Sequence, residues 1–319
     1  MIQVTDLTRY YGEFAALEGV SFQVDRGQVI GLLGLNGAGK TTTLRVLAGL
    51  LPPSSGEVQV DGLDVSDAGD DLKRRIGFLP ESPPLYDDMT VSAFLVHMGR
   101  LRGLSRAEAE RRLPQVIEQT ALEGRERQVI GTLSHGFRKR VGIAQAILHD
   151  PTLVILDEPI SGLDPVQIVE MRRVIRRLAE GRVVMVSSHN LPEISQTCDR
   201  ILVLRDGRLV AEGSEQELAK RLGDARIVLT VRGDQAAFQE WLSTNPRVER
   251  MEPRPVSAPY ASAMVDLEGD AREALIEELI EAGFGIRLVE VPDDELEEIF
   301  LGLTREEHLD FPSPEEAVA

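Results

Sequence analysis

Basic residues, cysteines and long apolar runs are all scarce in this sequence. Its 35 lysines and arginines stand against 53 acidic residues, which gives a formal net charge of −18. Because an acidic surface repels polyanions, we expect no nucleic acid among its partners. The single cysteine, Cys198, excludes an internal disulfide and is typical of a reducing cytoplasm. No apolar run approaches the ~20 residues that span a bilayer, so any membrane role requires another subunit.

The beginning and the end of the chain carry two further expectations. The first residues, MIQVTDLTRYYG, lack a basic-then-apolar signal pattern, which predicts a cytoplasmic location. The last 29 residues hold ten acids and one arginine, about half of the net charge. We therefore expect residues 304–319 to form an acidic, disordered tail.

The order of apolar segments predicts two domains, over residues 1–222 and 223–303. In the first, runs typical of buried strands alternate with helical patterns, which indicates a mainly parallel α/β core. Its strands are predicted at 2–7, 20–24, 29–33, 56–62, 153–156, 183–187, 201–205 and 208–212, and its helices at 41–51, 90–122, 137–148 and 165–180. The second domain has the order β-α-β-β-α-β, with strands at 226–232, 247–251, 262–267 and 285–290 and helices at 234–243 and 270–282. This order predicts a small ferredoxin-like α+β domain, followed by an acidic helix at 293–303.

A phosphate-binding loop is the clearest motif. Residues 34–41, GLNGAGKT, match G-x-x-x-x-G-K-[ST] between an apolar strand and a helix. Glycines allow backbone N–H groups to surround phosphate oxygens, and the helix adds its positive N-terminal end. A simple glycine turn would not require Lys40 and Thr41, which are suited to the β- and γ-phosphates and to Mg²⁺. The predicted nucleotide contacts are Gly34, Leu35, Asn36, Gly37, Ala38, Gly39, Lys40, Thr41 and Thr42.

Two acids end the apolar strand at residues 153–156. Asp157 is positioned to hold Mg²⁺ through water, and Glu158 to polarise an attacking water. Acids at the end of a strand usually form only a solvated rim. Beside an intact phosphate loop, we interpret this pair as catalytic.

Three further segments extend the pattern. LSHGFRKRVGIAQAILHDP, at 133–151, directly precedes the Asp-Glu strand, SGLDP occupies 161–165, and SSHN occupies 187–190. In this order and spacing they resemble the signature, D-loop and switch segments of the ATP-binding cassette family, over about residues 1–220. The resemblance implies a P-loop NTPase cassette with a RecA-like core, an antiparallel β subdomain and an α-helical signature subdomain at about 78–150.

The resemblance also implies how the cassette works. Two copies would bind head to tail with two ATP molecules between them, and Ser134 and Gly136 of one copy would close on ATP held by the other. A helix predicted to begin near Phe137 would add a second anion site there, although Ser134 could also serve only as a helix N-cap. His189 would contact the γ-phosphate and the attacking water. Tyr11 would stack on adenine, with Tyr10 as the alternative.

The sequence departs from the family pattern at two places. His135 and Phe137 replace a glycine and the glutamine of the signature, whereas Ser134 and Gly136 are retained. Glu81 stands where the family has the glutamine of the Q-loop. Glutamate still offers oxygen to Mg²⁺, so we expect Glu81 to serve as a metal ligand together with Thr41 and Asp157.

The segment after Glu81 resembles an export-type subgroup of cassettes, linked to gliding motility, multidrug efflux and copper-enzyme maturation. We expect a permease to dock near residues 82–90, where Leu85, Tyr86 and Met89 are apolar, unless these side chains pack under their own loop. The C-terminal region, which ends in DDELEEIFLGLT, resembles the accessory domain of such cassettes, and we expect it to be regulatory or dimer-supporting, or else only stabilising.

The predicted function is the ATPase subunit of a transporter, acting as a homodimer on the inner face of the cell membrane through a separate permease. One alternative is a soluble cassette ATPase without a transport role, as in DNA repair or translation. That class generally has a coiled-coil insertion or two cassettes, and this chain has neither. The other alternative is an ATP-binding regulator without turnover, which the presence of Lys40, Asp157, Glu158 and His189 disfavours.

Overall fold

A computed structural model of the chain describes residues 1–67, 69–222, 226–267 and 271–290. The chain divides into two compact units, Met1–Glu215 and Gln216–Ala319. The division falls a few residues before the boundary predicted after residue 222. The acidic helix predicted at 293–303 and the tail predicted at 304–319 lie outside the described residues.

The first unit contains two sheets. Its strands are β1 (Ile2–Tyr11), β2 (Phe14–Val24), β3 (Val29–Leu33), β4 (Ser55–Val60), β5 (Leu63–Asp64), β6 (Ile76–Leu79), β7 (Leu153–Leu156), β8 (Val183–Ser188), β9 (Arg200–Arg205) and β10 (Arg208–Gly213). A four-stranded antiparallel sheet has the order β2-β1-β4-β5, and a six-stranded sheet has the order β10-β9-β3-β8-β7-β6. In the second sheet every pair is parallel except β9 with β10. This mixed α/β architecture confirms the predicted fold class.

Seven α-helices of the described residues belong to the first unit, and an eighth, α8, begins at its last residue and continues into the second unit. They are α1 (Lys40–Leu47), α2 (Gly69–Arg75), α3 (Val91–Leu101), α4 (Arg106–Gln119), α5 (His135–Ile147), α6 (Pro165–Leu178), α7 (Leu191–Ser195) and α8 (Glu215–Leu222). Strand β3 is buried along its whole length, as its continuous apolar run predicts. One apolar cluster joins both sheets and α1, so the phosphate loop between β3 and α1 is fixed from two sides.

The helical prediction for residues 90–122 is wrong as a single helix. Two helices, α3 and α4, occupy this range, because Gly103 has a positive φ of 90° that ends the first. Ser105 then caps α4 with Glu108 in a reciprocal capping box. The start predicted near Phe137 is also too late, since α5 begins at His135.

The second unit has the predicted element order. It contains β11 (Arg226–Arg232), α9 (Gln235–Thr244), β12 (Val248–Arg254), β13 (Tyr260–Leu267), α10 (Arg272–Glu281) and β14 (Gly285–Glu290). All pairs in its sheet are antiparallel, in the order β12-β13-β11-β14. Phe238 and Leu242 of α9 and Leu275 and Leu279 of α10 pack on this sheet in a separate apolar core. Within the described ranges, no helix is both long and apolar enough to cross a membrane.

Gly77 in β6 tests the packing of this edge strand on α5. A Cβ at this position would lie 2.1 Å from the backbone oxygen of Ala146. We expect Gly77→Ala to lower the free energy of unfolding by about 1–3 kcal/mol, because backbone cannot move aside as a flexible side chain can. Urea unfolding followed by circular dichroism measures the change.

Gly285→Ala in β14 is the control for this substitution. There the nearest atom to the added Cβ is the Cβ of Arg232, at an ordinary contact distance of 3.5 Å. We expect it to change stability by less than about 0.5 kcal/mol. Equal stability of the two variants would contradict the close approach of β6 to α5.

Candidate nucleotide-binding site

The phosphate loop has the backbone that its glycines predict. Gly37 and Gly39 have φ values of 88° and 102°, which are unfavourable for residues with a side chain. A Cβ at Gly39 would also lie 2.8 Å from the backbone oxygen of Ala16. The loop therefore requires glycine here both for its conformation and for its close packing on β2.

Lys40 is nearly buried, with 7% of its surface exposed, at the first position of α1. Its Nζ donates to the backbone oxygens of Gly34 at 2.7 Å and Leu35 at 3.2 Å and lies 3.9 Å from Oε1 of Glu158. Burial lowers the pKa of Lys40, whereas the charges of Glu158, Asp157 and Glu81 oppose this shift. The ammonium group thus lies between the loop and Glu158, where it would form an ion pair with the terminal phosphate of a nucleotide.

Asp157 and Thr41 form the predicted magnesium site. The Thr41 hydroxyl lies 3.4 Å from Oδ1 of Asp157, and Ser187 donates a 2.6 Å hydrogen bond to the same oxygen. Mg²⁺ prefers hydroxyl and carboxylate oxygens and is commonly held by one or two protein ligands together with phosphate. These residues fit that pattern: they would hold the ion, which neutralises phosphate charge when bound.

Glu158 is buried and lies between two polar side chains. Nδ1 of His189 is 3.1 Å from its Oε1 and 3.2 Å from its Oε2, and Lys40 is on the other side. Its main chain is in the left-handed region, with φ of 48°. A carboxylate held between a lysine and a histidine next to a phosphate loop is suited to orienting and deprotonating water.

A cavity of about 360 Å³ joins most of the predicted residues. It is lined by Tyr11, Phe14, Ala16, Leu35, Asn36, Gly37, Gly39, Lys40, Thr41, Thr42, Glu81, Glu158 and His189. Asp157, almost completely buried, reaches this set through its contact with Thr41. The structure thus brings Glu81 to the same cavity as the phosphate loop, although its role as a ligand stays a prediction.

Two aromatic residues lie at one end of this set. The Tyr11 ring carries the guanidinium of Arg9 at 5.1 Å from its centroid, and Phe14 pairs with Tyr11 across β1 and β2. The sequence reasoning missed Phe14. The available signal was a second aromatic residue three positions after Tyr11, beyond the glycine Gly12 that marks a turn between two strands.

The signature residues do not line this cavity. Ser134 is exposed at the N-cap of α5 and makes no side-chain capping hydrogen bond, which disfavours the role of a simple cap. Gly136 is buried, and a Cβ there would lie 2.6 Å from the Gln167 side chain of α6. In a single chain, these residues are therefore separate from the phosphate loop.

The departures from the signature pattern are accommodated locally. The guanidinium groups of Arg125 and Arg140 lie 4.8 and 5.1 Å from the centroid of the Phe137 ring. These cation–π contacts stabilise an aromatic ring at this position, and a glutamine side chain could not form them. His135 is exposed, and its ring approaches Gly162 of the SGLDP segment.

The fold and this site define a P-loop nucleoside triphosphatase with an added signature subdomain. A family model described as ABC transporter matches residues 17–161. An uncharacterized ABC transporter ATP-binding protein of Bacillus subtilis is 34% identical over 302 residues, covering 94% of this chain and 98% of that protein. The linearmycin resistance ATP-binding protein of the same organism is 32% identical over 310 residues, covering 95% and 98%.

The solved structures agree with these relatives. A dimeric ATP-binding cassette bound to ADP and Pi has a TM-score of 0.60 and 25% identity, covering 67% of this chain and 98% of that chain. The chain belongs to the ATP-binding proteins of ABC transporters. It is accordingly an ATPase that uses ATP with Mg²⁺, in a family whose cassettes dimerise and partner with membrane permeases.

Tyr11 and Tyr10 provide a matched test of base stacking. Both are similarly exposed, at 44% and 46%, but only Tyr11 lines the cavity. We expect Tyr11→Ala to weaken ATP binding by about 5- to 100-fold, because stacking of a base on an aromatic side chain contributes ~1–3 kcal/mol. Tyr10→Ala serves as the control in the same titration. A larger loss with Tyr10→Ala would assign the stacking to the alternative residue.

Proposed function

We propose that two copies of this chain form a head-to-tail ATP sandwich that drives an export permease from the cytoplasmic face of the membrane. The separation of Ser134 and Gly136 from the cavity carries this proposal. One chain offers a complete phosphate loop and an uncapped signature helix, but does not bring them together. A second copy would place the helix N-terminus, which favours anions, opposite the γ-phosphate.

Hydrolysis in the assembled site would use residues of both copies. Lys40 and the loop amides bind the phosphates, and Glu158 takes a proton from the attacking water. His189, in contact with the Glu158 carboxylate, orients that group and the terminal phosphate. Loss of the γ-phosphate then removes the contact that joins the copies, so the cycle alternates between closed and open dimers.

The direction of transport is inferred from relatives. The linearmycin resistance protein matches nearly the whole chain, including the part after residue 215. That relative serves resistance to linearmycin, and the segment after Glu81 resembles export-type cassettes. We therefore assign export to the transporter that this chain serves.

Residues 82–90 are proposed to contact the permease. Asp87 pairs with Arg138 of α5 at 2.8 Å, and its backbone oxygen accepts from the N–H of Gly131, so this loop is anchored to the signature subdomain. Tyr86 packs edge-on against Phe94 of α3 and still exposes 49% of its surface. An anchored loop with an exposed aromatic is suited to transmitting movement of the subdomain to a partner.

A nearby groove offers a second candidate contact. A cavity of about 460 Å³ is lined by residues of α2 and β6 and by the segments at the C-terminal ends of α1 and α3, among them Leu50 and Leu101. Both leucines are well exposed, and Lys73, Arg74 and Arg102 outnumber Asp70, the acidic residue of the same lining. A permease segment with apolar and acidic side chains would fit this groove.

Replacement of Glu158 by glutamine tests the ATPase assignment. We expect Glu158→Gln to slow hydrolysis by about 10²- to 10⁴-fold, because the amide cannot accept the proton of water. ATP binding should be retained, and the dimer should persist in size-exclusion chromatography with Mg²⁺-ATP. Unchanged hydrolysis would contradict the catalytic role of Glu158, and a variant that stays monomeric with ATP would contradict the sandwich.

Docking is tested on the exposed apolar side chains. We expect Tyr86→Asp and Leu101→Asp to reduce copurification with the permease by about tenfold, because a charge buried in a contact surface costs more than ~1.4 kcal/mol. ATPase activity of the isolated subunit should not change. Ile280→Asp, on the exposed face of α10, is the control. Normal copurification of both variants would exclude these surfaces.

A further inference from the structure

The backbone of Glu158 requires support. Its φ of 48° is a left-handed conformation that residues with a side chain rarely adopt. Such a conformation persists only where neighbouring groups hold it, and it occurs preferentially at functional sites. With this conformation, the Glu158 carboxylate lies beside Lys40 and His189, just after the end of β7.

Two buried side chains form hydrogen bonds with the main chain of Glu158. Oγ of Ser187, on β8, accepts a 2.9 Å hydrogen bond from the Glu158 N–H. Nζ of Lys139, on α5, donates a 2.8 Å hydrogen bond to the Glu158 backbone oxygen. Both polar groups of this residue's main chain are thus bound by side chains rather than by secondary structure.

Each anchor also binds a second residue of the site. Lys139 donates to the backbone oxygen of Glu81 at 2.9 Å, and Ser187 donates to Oδ1 of Asp157 at 2.6 Å. Neither anchor lines the nucleotide cavity, and their exposed fractions are 2% and 0%. They therefore act on the reaction only through the residues that they hold.

Burial of Lys139 is costly for stability alone. Burial lowers the pKa of this lysine, and the charges of Glu81, Glu158 and Asp157 oppose the shift. An apolar side chain of similar length would fill the same space without the desolvation of an ammonium group. The hydrogen bonds that Lys139 donates to the carbonyl oxygens of Glu81 and Glu158 give a reason for a lysine at this buried position.

We infer that Lys139 and Ser187 are positioning residues for ATP hydrolysis, which fix the general base Glu158 through its main chain. The inference rests on the catalytic role proposed for Glu158. It assigns to the signature helix a function inside its own cassette, in addition to any contact made by Ser134 with a second copy.

Steady-state kinetics of the full-length chain test this inference. Lys139→Met keeps the length of the side chain and removes both hydrogen bonds. We expect kcat to fall by about 10- to 100-fold, because small displacements of a catalytic group have effects of this size. The KM for ATP should change by less than about threefold, since Lys139 does not line the cavity. Arg106→Met, which removes an exposed cation of α4, is the control.

The conservative variants provide a second measurement. Ser187→Ala should lower kcat in the same way, and Ser187→Thr, which retains the hydroxyl, should restore most of it. Lys139→Arg retains donors for the two carbonyl oxygens and should recover part of the activity. Should Lys139→Met fail to fold, the Ser187 pair tests the inference alone. Equal activity of Ser187→Ala and wild type would overturn the role of Ser187.

A double-mutant cycle separates positioning from a general loss of structure. In a Glu158→Gln background, Lys139→Met has no functional base to misplace, so we expect it to slow the residual hydrolysis by less than about twofold. A further loss as large as in wild type would overturn the inference. The single variant Glu158→Gln tests the proposed function separately, because unchanged turnover there would refute the base rather than its anchors.

Discussion

Parallel pairing of β3, β8 and β7 is the constraint on which the site depends. In a parallel sheet all strands end at the same edge, so the chain segments that follow neighbouring strands are brought side by side. Here those segments are the phosphate loop after β3, Asp157 and Glu158 after β7, and Ser187 and His189 at the end of β8. Residues separated by more than a hundred positions in the sequence thereby meet within hydrogen-bond distance.

The antiparallel sheet adds aromatic side chains to this frame. It packs on the same apolar core as the parallel sheet, and β2 approaches the phosphate loop where a Cβ on Gly39 would touch Ala16. Tyr11 and Phe14, at the turn between β1 and β2, consequently lie at the cavity that holds Lys40. The parallel sheet thus positions the charged and hydrogen-bonding groups of the cavity, and the antiparallel sheet positions its aromatic side chains.

The phosphate loop was predictable from the sequence because glycine spacing and Lys40 encode a local conformation. Asp157 and Glu158 were predictable because a continuous apolar run identifies a buried strand and its end. Short elements were not predictable: β6 has only four residues, and its apolar run resembles the start of a helix as much as a strand. The break between α3 and α4 depended on a single glycine conformation.

The anchors of Glu158 could not have been found from local pattern. Ser187 occupies an ordinary position in an apolar strand, and its two hydrogen bonds arise only when β7 and β8 pair. Lys139 lies in the basic run RKR, which is typical of a solvated helix face. Its burial follows from the packing of α5 against β6 and β7. Long-range contacts of this kind have no signature in spacing.

The enclosure of α5 has a consequence for timing. Nine of its thirteen residues are buried, including Lys139. Lys139 lies only ~7.5 Å along the helix axis from Ser134. A displacement of the N-terminus of α5 would therefore also shift Lys139, which binds the carbonyl oxygens of Glu81 and Glu158. Contact of a second copy with Ser134 and correct placement of the general base Glu158 would then occur together.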